Sequence, residues 1–316
     1  MHNTCNKQPS RVRTDKRRIS QEVNVTDQET LDPIDNRVAV PSAILDDFES
    51  RPGTVTSLSR TVLGAFVLQQ GGWISISNFT EIMSTLGISS QSTRTAVNRL
   101  KTKGILRSEN NNGRAGYRLT DEAEDMLVRG FSRVFNFRQM QSDEPWRIIS
   151  FSIPEPERAS RHRLRRRLTA IGCGTVTAGL LICPDYHTAE VDAIVSALNL
   201  DMYVTTFAAT DISAPTDLIT TAAQWWDLED IRSRHLEFIK NQATQLEHDA
   251  NVSAETFARF VFLLDEWRVI PLLDPGLPAS LLPNEWPGRT SLRIFDDATQ
   301  RLFTPAREWL KKTVEH

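Results

Sequence analysis

The sequence predicts an α+β protein: an N-terminal winged helix-turn-helix, a middle ferredoxin-like domain and a C-terminal helical domain. Three observations predict it. Between residues 57 and 120 short helical periods give way to a hairpin pattern. Between 145 and 212 extended stretches alternate with two helices. Beyond 216 the periodicity is helical, interrupted by a proline-rich stretch. With 316 residues the chain is too long for one ordinary core and suits two or three domains.

Residues 1–54 read as a disordered basic tail. They carry Arg11, Arg13, Lys16, Arg17 and Arg18 without a sustained apolar period, so they cannot offset the entropy of ordering. The tail is a solvated leader or an arm reaching DNA phosphates.

The winged helix-turn-helix with its linker helix is expected over 55–140. Val62, Leu63, Phe66 and Val67 repeat at helical spacing, and Gly71-Gly72 ends that segment. Trp73-Ile74-Ser75-Ile76 is a short extended piece, and Ser77 is placed to cap a second helix burying Phe79, Ile82, Met83 and Leu86. A third helix starts at Ser89 or Ser90 and runs from Gln91 to Lys103, where Gly104 stops it. Its inward stripe is Thr93, Ala96, Val97 and Leu100. The opposite face presents Ser90, Gln91, Ser92, Arg94, Thr95, Asn98, Arg99, Lys101 and Lys103, residue types that bond phosphates and base edges. A hairpin follows, with Asn110-Asn111-Asn112-Gly113 at its tip and Arg114, Tyr117 and Arg118 on its return strand. Thr120-Asp121-Glu122 then caps a helix running to Gln139. Each piece alone describes an ordinary solvated surface, whereas the ordered set points to DNA binding.

Over 145–212, Trp146–Ile153 alternates as a strand, and a helix rich in arginine (Arg158, Arg161, Arg163, Arg165, Arg166, Arg167) follows. Gly172–Pro184 is extended, 188–198 helical and 202–209 extended again, a ferredoxin-like pattern whose fourth strand is not separately visible. The arginine run suits either DNA contact or pairing with acids elsewhere.

The helical domain, 216–316, opens on an acidic segment with Trp225-Trp226, continues through a helix at 254–268, and ends in a helix reaching Leu310. Between the last two lies a stretch holding Pro271, Pro275, Pro278, Pro283, Trp286 and Pro287. Its tryptophans serve either core packing or an effector pocket.

Net charge is −3, so the whole chain does not advertise nucleic-acid binding. From Ile88 to Arg118, however, seven basic residues stand against Glu109 alone, and between Asp211 and Glu266 acids dominate. There is no run of about 18 apolar residues to span a membrane, and no signal-peptide pattern, so the cytoplasm is expected. Cys173 and Cys183 lie in apolar segments, as small core residues do; neither they nor Cys5 forms a CxxC pair. No GxSxG, HExxH or P-loop is present. The scattered histidines, His162, His187, His235 and His248 among them, read as surface residues without metal spacing. Neither a cofactor nor a metal is expected, and the chain is not read as an enzyme.

Several blocks resemble the PaaX family of bacterial repressors over roughly Ser57 to Leu310. They are Leu86-Gly87-Ile88-Ser89, Arg94–Leu100 with Gly104, Tyr117–Thr120, Leu164–Leu168 with Gly172-Cys173-Gly174, Leu273–Pro278 and Leu281–Gly288. The resemblance implies a homodimeric repressor of aromatic-acid catabolism that binds operator DNA and is released by an aromatic acyl-CoA or related aromatic metabolite. It departs at Ile105, where the family usually has Trp, at the neutral Asn-rich wing tip, and at Leu264-Asp265-Glu266 in place of His-Glu. On this reading Arg94, Asn98 or Arg99 read bases, and Arg114 and Arg118 hold the backbone. Lys101 and Lys103 add salt-sensitive affinity, and the helix from Asp121 links reader to sensor. An effector pocket is expected near Trp225, Trp226, Trp267, Arg268 or Trp286.

Two other readings compete. The middle domain also resembles the small CRISPR-associated nuclease of spacer acquisition, which suggests a metal-dependent nuclease. The stretch Ser150-Phe151-Ser152-Ile153-Pro154 lacks the carboxylate that a hard cation needs. An architectural DNA binder without an effector is the third, for which the acidic, tryptophan-bearing half has little use.

Overall fold

The computed structural model describes residues 51–214, 216–243 and 250–314; residues 1–50 of the expected tail, with Cys5, and His248 lie outside them, whereas 51–54 belong to the fold, Thr54 capping the first helix and Gly53 N–H donating to Asp265. Helix α1 (Val55–Val62) continues through a π-helical turn, Leu63–Val67, and a 3-10 turn, Leu68–Gln70, to a left-handed Gly71. Strand β1 is Trp73–Ser75, followed by α2 (Ile76–Thr85), α3 (Ser90–Thr102), β2 (Leu106–Asn111), β3 (Arg114–Leu119) and α4 (Asp121–Phe135). The three strands form an antiparallel sheet in the order β1-β3-β2.

Local chemistry explains where these elements start. Thr54, Ser75, Ser89 and Thr120 each accept a hydrogen bond from the backbone N–H three residues on, a cap that contributes about 1 kcal/mol. The cap of α2 is therefore Ser75 rather than Ser77, because β1 ends where the Ser75 hydroxyl takes the Asn78 N–H. Ser77 lies inside the first turn, its hydroxyl 3.0 Å from that of Ser75. Helix α4 stops four residues earlier than its sequence pattern. Beyond Asn136 the backbone finds partners across the molecule: Met140 N–H donates to Gly276 O at 2.7 Å.

The second sheet contains β4 (Trp146–Phe151), β5 (Gly174–Thr177), β6 (Leu180–Pro184) and β7 (Val204–Ala209), antiparallel in the order β5-β6-β4-β7. The extended stretch Gly172–Pro184 folds back on itself, which supplies the strand that the sequence pattern did not separate. Helices α5 (Arg158–Ala170) and α6 (Thr188–Ala197) cover one face, over Ile149, Phe151, Leu181 and the reduced Cys173 and Cys183. The other face, with Trp146 and Ile182, packs on Trp226, Leu277 and Leu281.

Five helices follow: α7 (Leu218–Trp225), α8 (Leu228–Gln242), α9 (Ala254–Trp267), α10 (Ile270–Leu273) and α11 (Gly288–Val314). Phe257, Phe260, Trp267 and Phe295 from this set share one apolar core with Phe66, Phe79 and Leu100 near the N-terminal sheet. Buried Asp265 fastens that joint by accepting from Gly53 N–H (2.7 Å), Ser57 Oγ (2.6 Å), Thr61 Oγ1 (2.7 Å) and Arg268 Nε (3.1 Å). Mixed helices and antiparallel sheets make the fold α+β. No helix of the described residues is long and apolar enough to cross a membrane.

Candidate nucleic-acid interface

Helix α3 has two unlike faces. Thr93, Ala96, Val97 and Leu100 recur at helical spacing and are buried, while Gln91, Arg94, Thr95, Asn98, Arg99 and Lys101 are exposed. At its start the Ser89 hydroxyl accepts from Ser92 N–H and donates to Ser92 Oγ, which engages Ser92 in the cap; Ser90 is exposed beside it. Thr95 Oγ1 donates back to Gln91 O. Among the described residues the side chains of Gln91, Arg94, Asn98 and Arg99 make no hydrogen bond or ion pair, so this face offers cations and an amide to solvent or a partner.

The hairpin beside it turns on Asn112-Gly113, both at positive φ (50° and 82°), the two-residue geometry that matches strand twist. Asn110 Oδ1 takes the Gly113 N–H at 3.0 Å, so the tip is built by neutral side chains. Arg114, just after it, is exposed. Tyr117 is half-buried, edge-on to Phe79, and burial raises its phenol above the ordinary range against the nearby charge of Arg94.

Arg118 is placed differently from the expectation. In the β2–β3 register Arg107 and Arg118 stand directly opposite, like charges that repel. Glu109 resolves this by accepting from Arg118 Nε (2.7 Å) and Arg107 (3.3 Å), which together hold its carboxyl below the usual range. Arg118 also donates to Gly71 O at 2.7 Å, so its guanidinium braces the sheet rather than pointing outward. Glu109 was detectable in the sequence as the lone acid of the basic stretch. Lys101 Nζ donates to Ser108 Oγ at 2.8 Å, bridging helix and hairpin, and Lys103 is half-buried.

The arginine-rich helix α5 is divided: Arg158, Arg163 and Arg166 are exposed, and the other three are engaged or buried. Arg161 pairs with Glu155, Arg165 donates to Ala178 O at 2.6 Å, and Arg167 is buried. Nor do the five expected effector residues meet in one pocket. Trp267 is fully buried, stacked on Phe295 and donating to Val134 O. Arg268 belongs to the Asp265 network. Trp226 lies against Gly174, where a Cβ would come within 2.5 Å of the indole, and donates to Gly172 O. Trp225 packs beside Trp226, and Trp286 packs on another part of the same apolar cluster, edge-on to His235. A buried indole N–H needs an acceptor, and those of Trp226 and Trp267 find theirs in the core.

Two histidines are likewise interior rather than surface residues. His235 sits between Ser291 Oγ (2.5 Å) and Asp274 Oδ2 (2.8 Å), with His235 and Ser291 wholly inaccessible. The set has the residue types of a nucleophile–base–acid relay, but the ring and the hydroxyl are wholly inaccessible, and it locks the proline-rich stretch against α8. His187 is buried beside Glu190. Among the described residues no group of three or more His, Cys, Asp or Glu side chains is placed to hold a metal ion.

Comparison with known proteins is consistent along the chain. Residues 54–123 match the family model "PaaX-like protein", 139–219 the "PaaX protein central Cas2-like domain" and 226–312 the "PaaX-like protein C-terminal domain". The transcriptional repressor PaaX of Escherichia coli (strain K12) is 23% identical over 275 residues, covering 84% of this chain and 85% of its own length. The solved structure of the uncharacterized protein Rv0674 from Mycobacterium tuberculosis is similar in fold, with a TM-score of 0.50 and 22% identity over 79% of this chain and 97% of that one. The chain belongs to the PaaX family of transcriptional regulators.

Proposed function

We propose that this protein is a cytoplasmic, homodimeric repressor whose winged helix-turn-helix, residues 55–140 with its linker helix, reads operator DNA through α3. The observation that carries this is the exposed face of Gln91, Arg94, Asn98 and Arg99, unengaged among the described residues and set on a helix whose other face is core. Such a helix fits the major groove, where a bidentate Arg or Asn contact discriminates by about 1–3 kcal/mol. Ser90, Ser92, Thr95 and Lys101 flank it for phosphate contacts, with Arg114 as the outward cation of the wing and Lys103 and Tyr117 behind. Residues 145–212 are a ferredoxin-like middle domain, an assignment supported by the strand order β5-β6-β4-β7. Residues 216–316 form the helical sensing and dimerising domain, and 1–50 a tail.

Release follows when an effector prefers a dimer arrangement that does not fit the operator. By family likeness that effector is an aromatic acyl-CoA or aromatic acid. The nuclease alternative is not favoured: the end of β4 carries no carboxylate, and the curated relative is a repressor. The experiment is a gel shift with DNA from upstream of the protein's own gene. Arg94→Ala abolishes retention while its thermal melt matches wild type; full retention contradicts the assignment.

A further inference from the structure

A cleft of about 350 Å³ opens between the linker that follows α4 and the proline-rich stretch with the start of α11. Phe137, Leu282, Trp286 and Leu292 give it apolar walls, and Arg138 and Arg289 stand in it as cations. The one carboxylate on its lining, Asp274, is buried, with one oxygen taken by His235 (2.8 Å) and the other by Gly276 N–H (2.8 Å). Arg138 is held bidentately by Glu144 and lies 4.1 Å over the Tyr186 ring. Arg289 is exposed and makes no ion pair among the described residues. It sits in the first turn of α11, where the helix dipole also favours an anion.

Size separates this cleft from the apolar cavity beside Arg60 and Arg268, which offers about 60 Å³. A benzene-sized ring needs a cavity of about 150 Å³. Across Phe137 and Arg138 the cleft adjoins a second hollow of about 260 Å³, where Arg129 has no ion pair among the described residues. The first cleft therefore takes a planar group with one negative charge, and the second leaves room for a larger anionic extension.

We propose that this cleft is a binding site for a small aromatic carboxylate, with the ring between Phe137 and Trp286 and the carboxylate on Arg289. The inference rests on the effector-released reading above and gives it a place. The cleft floor is the linker joining the DNA-reading helices to β4, fastened by Met140 N–H to Gly276 O (2.7 Å) and Gln139 Nε2 to Leu277 O (3.0 Å). At Gly276, at φ +71°, a Cβ would come within 2.1 Å of Arg138 O, so linker and loop touch backbone to backbone. A ligand wedged here bears directly on one of the joints through which the reader is carried.

Calorimetric titration of the full-length protein with phenylacetate, phenylacetyl-CoA and CoA alone tests this. Wild type binds the free acid, and Arg289→Ala weakens that binding by about tenfold or more, as loss of a charge-assisted contact does. Arg307→Ala, far along α11, leaves it unchanged. Binding of the thioester alone, whose acyl group brings no charge to Arg289, overturns the proposal. Unchanged binding in both Arg289→Ala and the cleft-blocking Leu292→Glu, each checked by thermal melt, overturns the proposal. So does binding of CoA as tight as that of its thioester, or absence of binding of all three by protein that still retains operator DNA; neither result touches the repressor reading. Binding that depends on Arg289 yet fails to release DNA upholds the site and contradicts effector release.

Discussion

Arg133 on α4 and Glu190 on α6 meet at 2.7 Å, with the arginine side chain only 5% exposed. The same guanidinium donates to Pro271 O and Ile171 O, each at 2.7 Å, and to Leu272 O at 3.3 Å. One side chain thus ties the linker helix to the middle sheet's helix layer and to the start of the proline-rich stretch. Removing it strands a largely buried carboxylate and three carbonyls, and breaking such a pair costs about 3–5 kcal/mol. Arg133→Ala is expected to fall in that range in urea unfolding, with a smaller loss for Glu190→Gln, which leaves the carbonyl bonds in place.

The same cluster sets a pH dependence. Burial and the Arg133 charge hold His187 below its ordinary value of 6.5. Burial opposes ionisation of Glu190, but Arg133 and His187 outweigh it and hold that carboxyl below its ordinary 4.5. Both groups bind fewer protons folded than unfolded, so both stabilise above their unfolded values and that stability is lost as pH falls. Thermal melts should decline first as pH drops below 6.5, through His187, and again below 4.5, through Glu190. His187→Gln removes the first decline and leaves the second, which Arg133 alone then supports, smaller.

The wing arginines should separate in their effects. Arg114 is exposed and, as the proposed outward cation of the wing, is expected to meet a phosphate, so Arg114→Ala lowers the slope of log affinity against log salt by about 1. Arg118 is engaged by Glu109 and Gly71, so Arg118→Ala lowers the melting temperature and leaves the salt slope near that of wild type.

Much of this was legible in the sequence because local rules governed it. The stripe Thr93, Ala96, Val97 and Leu100, the caps at Ser89 and Thr120, and the hairpin around Asn112-Gly113 depend on neighbours within a few residues. What stayed hidden depends on distant partners. Arg118 read as a phosphate contact because Gly71 O, which takes its guanidinium, lies 47 residues away. His235 read as a surface residue because its partners, Asp274 and Ser291, are 39 and 56 residues away. Trp226 and Trp267 read as pocket candidates because composition does not reveal Gly172 O or Val134 O waiting for their N–H groups.

The central claim is that α3 reads sequence, and the specificity ratio tests it most directly. Fluorescence anisotropy at one fixed salt concentration would compare an operator duplex with a scrambled duplex for wild type and for Arg94→Ala/Asn98→Ala/Arg99→Ala. The account predicts that the variant, folded by circular dichroism, loses at least about 100-fold on the operator and far less on the scrambled duplex, so the ratio collapses towards one. An unchanged ratio in the folded variant would contradict it.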